Sequence, residues 1–458
     1  MRAAGPAGFP MPKRNVVILV ASVLTCLVAW AARERGGQGH RFGEVMAAIE
    51  RDYIEEVDAE RLFTIAVEAA VSRLDEHSAF LRDASRADLE ATLDQEFAGV
   101  GLELSFDPAV RQPVVISPIF NGPAWQAGIG AGDRIVAIDG QATIGRPLRE
   151  AVDLLRGQAG QPVRLAVSQP PMDRTTLDPA VALSEPPTRD ITLVRQPLEV
   201  ESIQGDRRGA DGHWHWLLEG EPGVAYVRIE SFGERTAEEF SAALQQISGE
   251  PLLHTVMIDL RGNPGGLLRS AVAVCDLLLD EGVIVMTRSQ RAGGAESPAS
   301  MDVRRATAGA AIKGLPVVVL VDGLTASAAE IVAASLQDAG RARIVGSRTF
   351  GKGTVQSLIP LSDGRGLLKL TTSEYLRPNR EPIQRRPDAG DDEAWGVRPD
   401  AGCEVTPTAE AVERLRDWRR IRNVVPRPGR PAVVSQVALP REIDAVLARG
   451  LELTASSQ

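Results

Sequence analysis

The residues most able to carry out covalent chemistry lie in a short segment around Ser327. The segment follows an apolar run at residues 316–321 and reads Gly323-Leu-Thr-Ala-Ser-Ala-Ala-Glu330. This pattern predicts a strand followed by a helix that begins at Ser327. Free N–H groups and the positive end of a helix would stabilise an oxyanion beside a serine nucleophile. The same residues also form a Ser-x-x-Glu capping box, in which Ser327 caps the helix and Glu330 reaches back. Both interpretations stay open on this segment alone.

A serine nucleophile needs a base. The chain has five histidines, none of them in a recognisable triad context: His40, His77, His213, His215 and His254. It contains neither a Gly-x-Ser-x-Gly elbow nor a His-Glu-x-x-His zinc motif. We therefore expect no metal site and no cofactor, and we look for a base other than histidine.

Lysine is the remaining candidate, and it is scarce in this chain. Only four of the 51 Lys and Arg residues are lysine: Lys13, Lys313, Lys352 and Lys369. Lysine can lose its proton at accessible pH, whereas arginine cannot. Lys352 lies between two glycines, which permit close backbone approach or unusual dihedral angles. As a base it would have to be neutral, a state that burial favours, and the alternative is a solvated lysine in a turn. If residues 352–356 form a strand, Lys352 and Gln356 share one face, and contact between them needs a bend that Gly353 could supply.

A third segment, Asp259-Leu-Arg-Gly-Asn-Pro-Gly-Gly266, joins a predicted strand to a predicted helix. A Gly-rich loop in this position can present main-chain N–H groups to an anion. The loop lacks the Gly-Lys-Ser/Thr ending of a P-loop, so the sequence gives little support to nucleotide binding. A plain tight turn is the alternative.

The rest of the chain divides into three regions with different sequence patterns. Residues 41–95 repeat apolar side chains at spacings of three and four, which predicts helices. Short alternating runs and Gly turns at residues 97–198 predict a β-rich unit, interrupted by a Pro-rich loop at 169–189. From about residue 200, strands alternate with helices, which predicts a parallel or mixed sheet. The expected strands there are residues 224–229, 255–260 and 316–321, and the expected helices are 238–247, 267–279 and 328–338.

Composition excludes several classes of protein. The 458 residues favour about three domains, and the 44% hydrophobic and 24% charged residues exclude a disordered or fibrous chain. The net charge of −10 argues against a dedicated nucleic-acid-binding protein. Three cysteines are too few for a disulfide scaffold, and the sequence leaves open whether Cys275 and Cys403 pair.

The N-terminal segment is typical of an exported protein. Residues 16–32 carry no charge, Lys13 and Arg14 precede them, and Arg33-Glu-Arg35 follows. Their length is near the lower limit of roughly 17 residues for a spanning helix. Ala29-Trp-Ala31 could instead be a signal-peptide cleavage site. We predict either an anchor in the cytoplasmic membrane or a cleaved signal peptide, with the rest of the chain exported. A buried core helix is the alternative.

Four motifs together resemble those of the C-terminal processing peptidases, also called tail-specific proteases. They are Asp259-Leu-Arg-Gly-Asn-Pro-Gly-Gly266, Thr325-Ala-Ser-Ala-Ala-Glu-Ile331, Leu336-Gln-Asp338 and Thr349-Phe-Gly-Lys-Gly-Thr-Val-Gln356. The resemblance spans roughly residues 41–407. The chain departs from the family pattern at Thr325, where Ser is usual, and at Asp322, where Asn is usual. These departures remove no catalytic group.

The resemblance implies a serine protease with a Ser/Lys dyad. Ser327 matches the nucleophile, Lys352 the general base and Gln356 the residue that orients the lysine. The positions that match the oxyanion hole are Ala328, Gly265 and Gly266, and those that match supporting groups are Glu330, Asp338 and Thr349. The PDZ loop that binds a free C-terminal carboxylate corresponds to Val100, Gly101, Leu102, Glu103 and Leu104.

The fold that the resemblance implies is mixed α/β: a crotonase-like α/β protease core, an inserted β-rich PDZ domain and an N-terminal helical segment. The predicted divisions are an anchor or signal at 1–36, a helical region at 37–95, the PDZ domain at 96–199, the protease core at 200–420 and a C-terminal tail at 421–458. The tail is rich in Arg and Pro and then weakly helical, so we expect it to be peripheral.

The sequence thus predicts an exported serine endopeptidase that cleaves near the C-termini of protein substrates. The expected partners are proteins with exposed C-terminal tails and, through the N-terminal segment, the membrane; nucleic acid is not expected, and homo-oligomerisation is left open. One alternative is a catalytically inactive PDZ adaptor, against which the joint presence of Ser327, Lys352 and Gln356 argues. Another is a crotonase-like acyl-CoA enzyme, which the export signal and the PDZ-like insertion disfavour.

Overall fold

The computed structural model describes residues 37–108, 110–169, 187–289, 300–361, 366–426 and 440–455. The segment at residues 16–32, predicted to be an anchor or signal, lies outside the described residues, as does most of the Pro-rich loop. Among the described helices, none is both long and apolar enough to cross a membrane. The chain divides into two compact units, Met1–Phe80 and Leu81–Gln458.

The described part of the first unit is mainly helical. Helix α1 covers residues 37–52, helix α2 covers Ala59–Val71, and the short strand β1, Ala79–Leu81, spans the boundary between the units. Asp58 caps α2, because its carboxylate accepts a hydrogen bond from a main-chain N–H of the first turn at 3.1 Å. Asp75 closes the turn after α2 by accepting hydrogen bonds from the main-chain N–H and hydroxyl of Ser78.

The second unit begins with helix α3, Asp83–Asp94, and continues into a β-rich subdomain at residues 96–199. Its elements are β2 Glu96–Gly99, β3 Leu102–Asp107, β4 Gln112–Pro118, α4 Pro123–Gln126, β5 Arg134–Ile138, β6 Gln141–Ala142, α5 Leu148–Leu155, β7 Pro162–Ser168, β8 Thr188–Val194 and β9 Gln196–Glu199. Five strands form an antiparallel sheet in the order β3-β4-β5-β7-β8, around a core that includes Val115, Ile135 and Leu165. Strands β2 and β9 pair with each other, so the chain enters and leaves this subdomain side by side.

An α/β subdomain follows the β-rich one. Its elements are β10 Ile203–Gln204, β11 Arg207–Arg208, β12 Trp214–His215, β13 Val224–Ile229, α6 Thr236–Ser248, β14 Thr255–Asp259, α7 Leu268–Asp276, β15 Val283–Ser289, β16 Ser300–Arg305, β17 Val317–Val321, α8 Ala328–Asp338, β18 Ala342–Gly346, β19 Thr354–Pro360, β20 Leu367–Leu376, α9 Ala409–Asn423, α10 Pro440–Ile443 and α11 Ala445–Ala455. The structure is therefore of mixed α/β type.

A central sheet runs in the order β10-β13-β14-β17-β18, with parallel pairing from β13 to β18. Strands β14 and β17 are buried along their whole length and rich in Val and Ile, as expected for parallel strands covered on both faces. Helices α6, α7 and α8 contribute Phe240, Val274 and Ile331 to the core on one face. Strands β16, β15, β20 and β19 pair antiparallel in a second sheet.

The expectation of a peripheral C-terminal tail is wrong for residues 440–455. Helix α11 buries Val446, Leu447 and Leu451 against a cluster that includes Met257 and Leu320 of the central sheet. Side chains alternate across a strand, so the face opposite α6–α8 is apolar too and needs a cover. The apolar residues of α11 supply that cover.

A buried ionic network joins α11 to the end of β14. The carboxylate of Asp444 accepts hydrogen bonds from Nη1 and Nη2 of Arg261, at 2.8 and 2.6 Å. Arg261 also binds Asp259, which accepts further hydrogen bonds from the Tyr226 hydroxyl, at 2.6 Å, and from Arg419. Burial by itself would raise the pKa of Asp444, but the charge and hydrogen bonds of Arg261 bring that pKa below its ordinary value. The network fixes the start of the 259–266 loop to the C-terminal helix.

The two cysteines of the described residues do not pair. Cys275 and Cys403 are both buried with free thiols, and they belong to separate apolar clusters. Burial raises the pKa of the Cys275 thiol to about 12.

Candidate active site

Ser327 occupies the position that the sequence predicted, between β17 and α8. Its main chain has φ +55° and ψ −117°, a conformation that residues other than glycine rarely adopt. An ordinary N-cap residue has extended dihedral angles instead. Strained residues of this kind concentrate at active sites, where surrounding contacts hold them in place. The backbone at Ser327 therefore differs from that of a simple cap, although Ser327 and Glu330 do form the predicted capping box.

Glu330 holds the segment of Ser327 to the segment of Lys352. Its carboxylate is fully buried, and Oε2 accepts hydrogen bonds from the main-chain N–H groups of Ser327 and Lys352, each at 2.8 Å. These two nitrogens therefore lie no further apart than twice that distance. Oε1 accepts hydrogen bonds from the Thr349 hydroxyl at 2.6 Å and from the Gly351 N–H at 2.7 Å. Burial raises the pKa of Glu330, and these four hydrogen bonds oppose the shift by favouring the carboxylate. The carboxylate arm of the predicted capping box exists, but the same group also anchors the lysine loop.

The two glycines beside Lys352 are explained by a neighbouring segment. A Cβ atom on Gly351 would lie 2.8 Å from Cβ of Arg385, and one on Gly353 would lie 2.2 Å from the main-chain nitrogen of Gln384. Gly351 also has φ +87°. Hydrogen bonds join both positions to this segment, from Arg385 N–H to the Gly351 carbonyl at 2.8 Å and from Gly353 N–H to Oε1 of Gln384 at 2.9 Å. Lys352 itself is half-buried.

Gln356 lies on β19, four residues beyond Lys352. The strand begins only at Thr354, and its pairing with β20 shifts register between Val355 and Gln356. The strand therefore contains a bulge next to Gln356, and its contact with Lys352 stays a prediction. Nε2 of Gln356 donates hydrogen bonds to the hydroxyls of Thr354, at 2.9 Å, and Thr371, at 3.3 Å. These contacts fix the amide; its predicted role in orienting the lysine stays a prediction.

The three residues predicted for the oxyanion hole differ in what they contribute near Ser327. A Cβ atom on Gly265, which has φ +100°, would lie 2.7 Å from Cβ of Ser327 and 3.0 Å from the nitrogen of Ala328. The N–H of Gly265 donates to Oδ1 of Asn263 at 2.8 Å. Within the described part of the chain, by contrast, the N–H groups of Ala328 and Gly266 have no hydrogen-bond partner. The lack of a side chain at Gly265 thus lets the loop approach Ser327 closely, while the main-chain N–H groups of Ala328 and Gly266 are the available hydrogen-bond donors.

Sequence reasoning assigned no role to Asn263, although it lies inside a motif that was singled out. Its side chain is fully buried, accepts the hydrogen bond from Gly265 and donates another to the Ile229 carbonyl at 2.8 Å. Its own carbonyl accepts a hydrogen bond from Ala326 N–H at 2.9 Å, next to Ser327. An Asn before Pro in a Gly-rich loop is typical of a side chain that bonds to nearby backbone, and this signal could have identified it.

Asp322 and Thr325, two departures from the family pattern, both hold the loop that carries Ser327. Oδ1 of Asp322 accepts hydrogen bonds from the main-chain N–H groups of Gly262 and Thr325, each at 3.0 Å. The Thr325 hydroxyl donates to the Leu260 carbonyl at 2.9 Å. These bonds tie the 259–266 loop to the loop that carries Ser327.

Of the predicted supporting groups, Thr349 lies at the site and Asp338 lies away from it. Thr349 joins Glu330 to the Val397 N–H, from which it accepts a hydrogen bond at 2.8 Å. Asp338 ends α8, about 16 Å along the helix from Ser327 at roughly 1.5 Å per residue. It forms a largely buried ion pair with Arg377 at 2.5 Å.

The residues predicted to bind a tail carboxylate lie at the start of β3. Gly101 precedes the strand with φ +75°, and Leu102 and Leu104 pack on the subdomain core. Strand β3 is an edge of its sheet, and helix α5 packs against it. Glu103 instead lines a cavity of about 540 Å³ between the β-rich and α/β subdomains, and burial raises the pKa of its carboxyl.

No group of three or more His, Cys, Asp or Glu suited to a metal ion occurs in the described ranges.

Comparison with known proteins defines the class. Residues 223–402 match the model of peptidase family S41, and residues 114–168 match a PDZ domain. A carboxy-terminal-processing protease of Bartonella bacilliformis is 35% identical over 349 residues, which are 75% of this chain and 72% of that protein. A carboxyl-terminal-processing protease of Synechocystis sp. is 34% identical over 323 residues, 70% of this chain and 68% of that one.

Among solved structures, the photosystem II D1 C-terminal processing protease is 28% identical to this chain. The similarity covers 83% of this chain and 92% of that chain, with a TM-score of 0.42. The β-rich subdomain contains a PDZ domain, and the α/β subdomain contains a serine-type peptidase. This chain belongs to the C-terminal processing proteases of peptidase family S41. The resemblance stated from its motifs is thereby confirmed.

Proposed function

We propose that this chain is an exported serine endopeptidase that cleaves near the C-termini of other proteins, with Ser327 as nucleophile and Lys352 as general base. The observation that carries the proposal is the sharing of Glu330 Oε2 by the main-chain N–H groups of both residues. Two segments about 25 residues apart in the chain are held together there by one buried carboxylate. A nucleophile and its base must come within hydrogen-bond reach, and a shared anchor brings their two segments together.

The chemistry follows the ordinary course of acyl transfer. Oγ of Ser327 attacks the scissile carbonyl carbon while its proton passes to Nζ of Lys352. The oxyanion receives hydrogen bonds from the N–H groups of Ala328 and Gly266, which have no other partner among the described residues. When the C–N bond breaks, the lysine proton goes to the leaving amine. Water then attacks the acyl carbon and gives a proton to Lys352. The bond from that carbon to Oγ of Ser327 breaks, Oγ takes the proton back from Lys352, and the second product leaves with the new carboxyl group. Gln356 keeps the lysine in place.

The PDZ domain would supply the preference for C-termini. Strand β3 is an edge strand, so an extended peptide can add to the sheet beside it. The turn at Gly101, where the chain enters β3, would receive the terminal carboxylate on main-chain N–H groups. The core of the α/β subdomain would be crotonase-like, with its oxyanion donors at the carboxyl ends of the parallel strands. Residues 16–32 would direct export and, if not cleaved, anchor the protein to the membrane.

Substitution of the two catalytic residues tests this proposal. Ser327→Ala and Lys352→Ala should each abolish cleavage of a protein that bears an unstructured C-terminal tail. Lys352→Arg should be equally inactive, because arginine keeps the charge but cannot act as a base. Circular dichroism and thermal unfolding should show that all three variants are folded. Full activity in Lys352→Arg would overturn the mechanism, and cleavage by Ser327→Ala would overturn the assignment of the nucleophile. An inactive wild type that still binds tails would instead indicate an adaptor.

A further inference from the structure

Gln95 lies where the chain enters the PDZ domain, far from Ser327 in sequence, and is buried despite being polar. It ends α3 with φ +58° and ψ +31°, a left-handed conformation that is uncommon for glutamine. Only 4% of its surface is exposed. A buried amide in a strained backbone conformation has to be held by its partners. Those partners connect two parts of the molecule.

The first part is the point where the chain leaves the PDZ domain. The Gln95 carbonyl accepts a hydrogen bond from the Val200 N–H at 2.9 Å, and its Nε2 donates to the Val200 carbonyl at 3.1 Å. Strands β2 and β9 begin their pairing at the next residues, Glu96 and Glu199. Gln95 therefore closes the base of the two-stranded connection to the PDZ domain.

The second part is the segment that precedes α6. Oε1 of Gln95 accepts a hydrogen bond from the Arg235 N–H at 2.7 Å. A Cβ atom on Gly233 would lie 2.4 Å from both Cγ and Oε1 of Gln95, so the amide is in direct contact with this glycine. The Gln95 side chain therefore fixes how closely residues 233–235 can approach.

The residue before Gly233 makes main-chain hydrogen bonds on both sides of Gly266. Phe232 is buried; its N–H donates to the Gly265 carbonyl at 3.0 Å, and its carbonyl accepts from the Leu267 N–H at 2.6 Å. These two bonds bracket Gly266, where a Cβ atom would lie 2.1 Å from the Phe232 carbonyl oxygen. A displacement of Phe232 would therefore move the Gly266 N–H directly.

We propose that Gln95 is a positioning residue for the oxyanion hole: through Gly233 and Phe232 it sets the place of the Gly266 N–H group beside Ser327. This inference rests on the proposed function. Displacement of a catalytic group by about 1 Å can lower the rate about 100-fold. Loss of the Gln95 contacts should thus slow chemistry at Ser327 even for a ligand that never touches the PDZ domain.

The test uses Gln95→Asn in the full-length protein. Asparagine tolerates the left-handed backbone, but its shorter side chain cannot reach both Val200 and Arg235. Two rates are measured: phosphonylation of Ser327 by a small fluorophosphonate, which carries no tail, and cleavage of a peptide with a free C-terminal tail. We expect both the phosphonylation rate and kcat for the peptide to fall at least 10-fold, with KM for the peptide within about 2-fold of wild type. Glu199→Gln, which removes an ion pair with Arg235 at the same junction, is the matched control and should leave both rates within 2-fold.

A double-mutant cycle tests the contact itself. The three atoms nearest to a Cβ on Gly233 all belong to Gln95 and lie beyond its Cβ. Gly233→Ala should slow phosphonylation at least 10-fold in the wild-type background and less than 3-fold in a Gln95→Ala background. An unchanged phosphonylation rate in Gln95→Asn, with only KM for the peptide raised, would overturn the proposal and leave Gln95 as an anchor of the PDZ domain. Absence of phosphonylation in the wild type would instead count against the proposed function.

Discussion

Replacement of Glu330 tests whether one buried carboxylate organises the active site. In Glu330→Gln one oxygen becomes an NH2 group. In the favourable orientation the amide oxygen of glutamine accepts hydrogen bonds from the N–H groups of Ser327 and Lys352, as Oε2 of Glu330 does. The NH2 group then faces Thr349 and Gly351. The Thr349 hydroxyl can rotate to accept a hydrogen bond, but the Gly351 N–H cannot. The substitution thus disturbs the contacts of one oxygen only, while the link between the segments of Ser327 and Lys352 survives.

The magnitude follows from the groups left without partners. One buried N–H without an acceptor costs about 1–3 kcal/mol. Burial raises the pKa of Glu330, so removal of its charge offsets part of this cost. We expect Glu330→Gln to lose about 1–2 kcal/mol of unfolding free energy and less than about 10-fold in kcat. Glu330→Ala leaves three main-chain N–H groups without their acceptor, those of Ser327, Gly351 and Lys352, and should lose at least about 3 kcal/mol. With the two segments released, its kcat should fall at least about 100-fold.

Urea unfolding followed by circular dichroism gives the free energies, and cleavage of a tail-bearing peptide gives kcat. Circular dichroism under the assay conditions gives the folded fraction, so that a loss of kcat is not confused with a loss of folded protein. Equal stability of the Gln and Ala variants would refute the reasoning about the separate hydrogen bonds. A kcat near that of the wild type in Glu330→Ala would refute the role of Glu330 in holding Ser327 to Lys352.

Two further predictions concern the loop at residues 259–266 and its anchor. Gly265→Ala should lower kcat at least about 100-fold in a folded protein, because its Cβ would press on Ser327. Gly262→Ala is the control for backbone strain alone, since Gly262 has φ +74° but open space around it. Similar kcat values for the two variants in steady-state assays would contradict this prediction. Asp444→Asn should cost about 3–5 kcal/mol at pH 7, because it leaves the buried network of Arg261, Arg419 and Asp259 with one uncompensated positive charge. Since the pKa of Asp444 is lowered in the folded protein, its contribution is present above the ordinary value of 3.8 and is lost as the pH falls below it. Urea titrations from pH 7 to pH 3 should therefore show the gap between wild type and variant closing on the acid side, and a constant gap would contradict the assignment.

The motifs carried most of what could be predicted about the site. Ser327, Lys352 and the Gly-rich loop were identified because their residue types and spacing are specific when they occur together. The glycines beside Lys352 permit close backbone approach or unusual dihedral angles, but the sequence does not show why the protein needs glycine at these positions. The reason lies in Gln384 and Arg385, which are more than 30 residues away and pack directly on both glycines.

The C-terminal region shows why local composition misleads. The residues before α11 are rich in Arg and Pro, and a weak helix after them gives no sign of its partner. The face of the central sheet opposite α6–α8 needs an apolar cover, and Val446, Leu447 and Leu451 provide it. Burial depends on what the rest of the chain leaves uncovered, which periodicity within one helix cannot report.

The sequence by itself determined the chemistry that is available: a serine at a helix start, a rare lysine between glycines and a loop able to present N–H groups. These features depend on neighbours within a few residues, so they can be read in order along the chain. Only the tertiary structure decided how they meet. The four donors on Glu330, the contact of Gln95 with Gly233 and the ion pair of Asp444 with Arg261 join residues separated by up to 183 positions. Such contacts form only when the whole core packs, because a buried polar group is stable only where distant segments supply its partners.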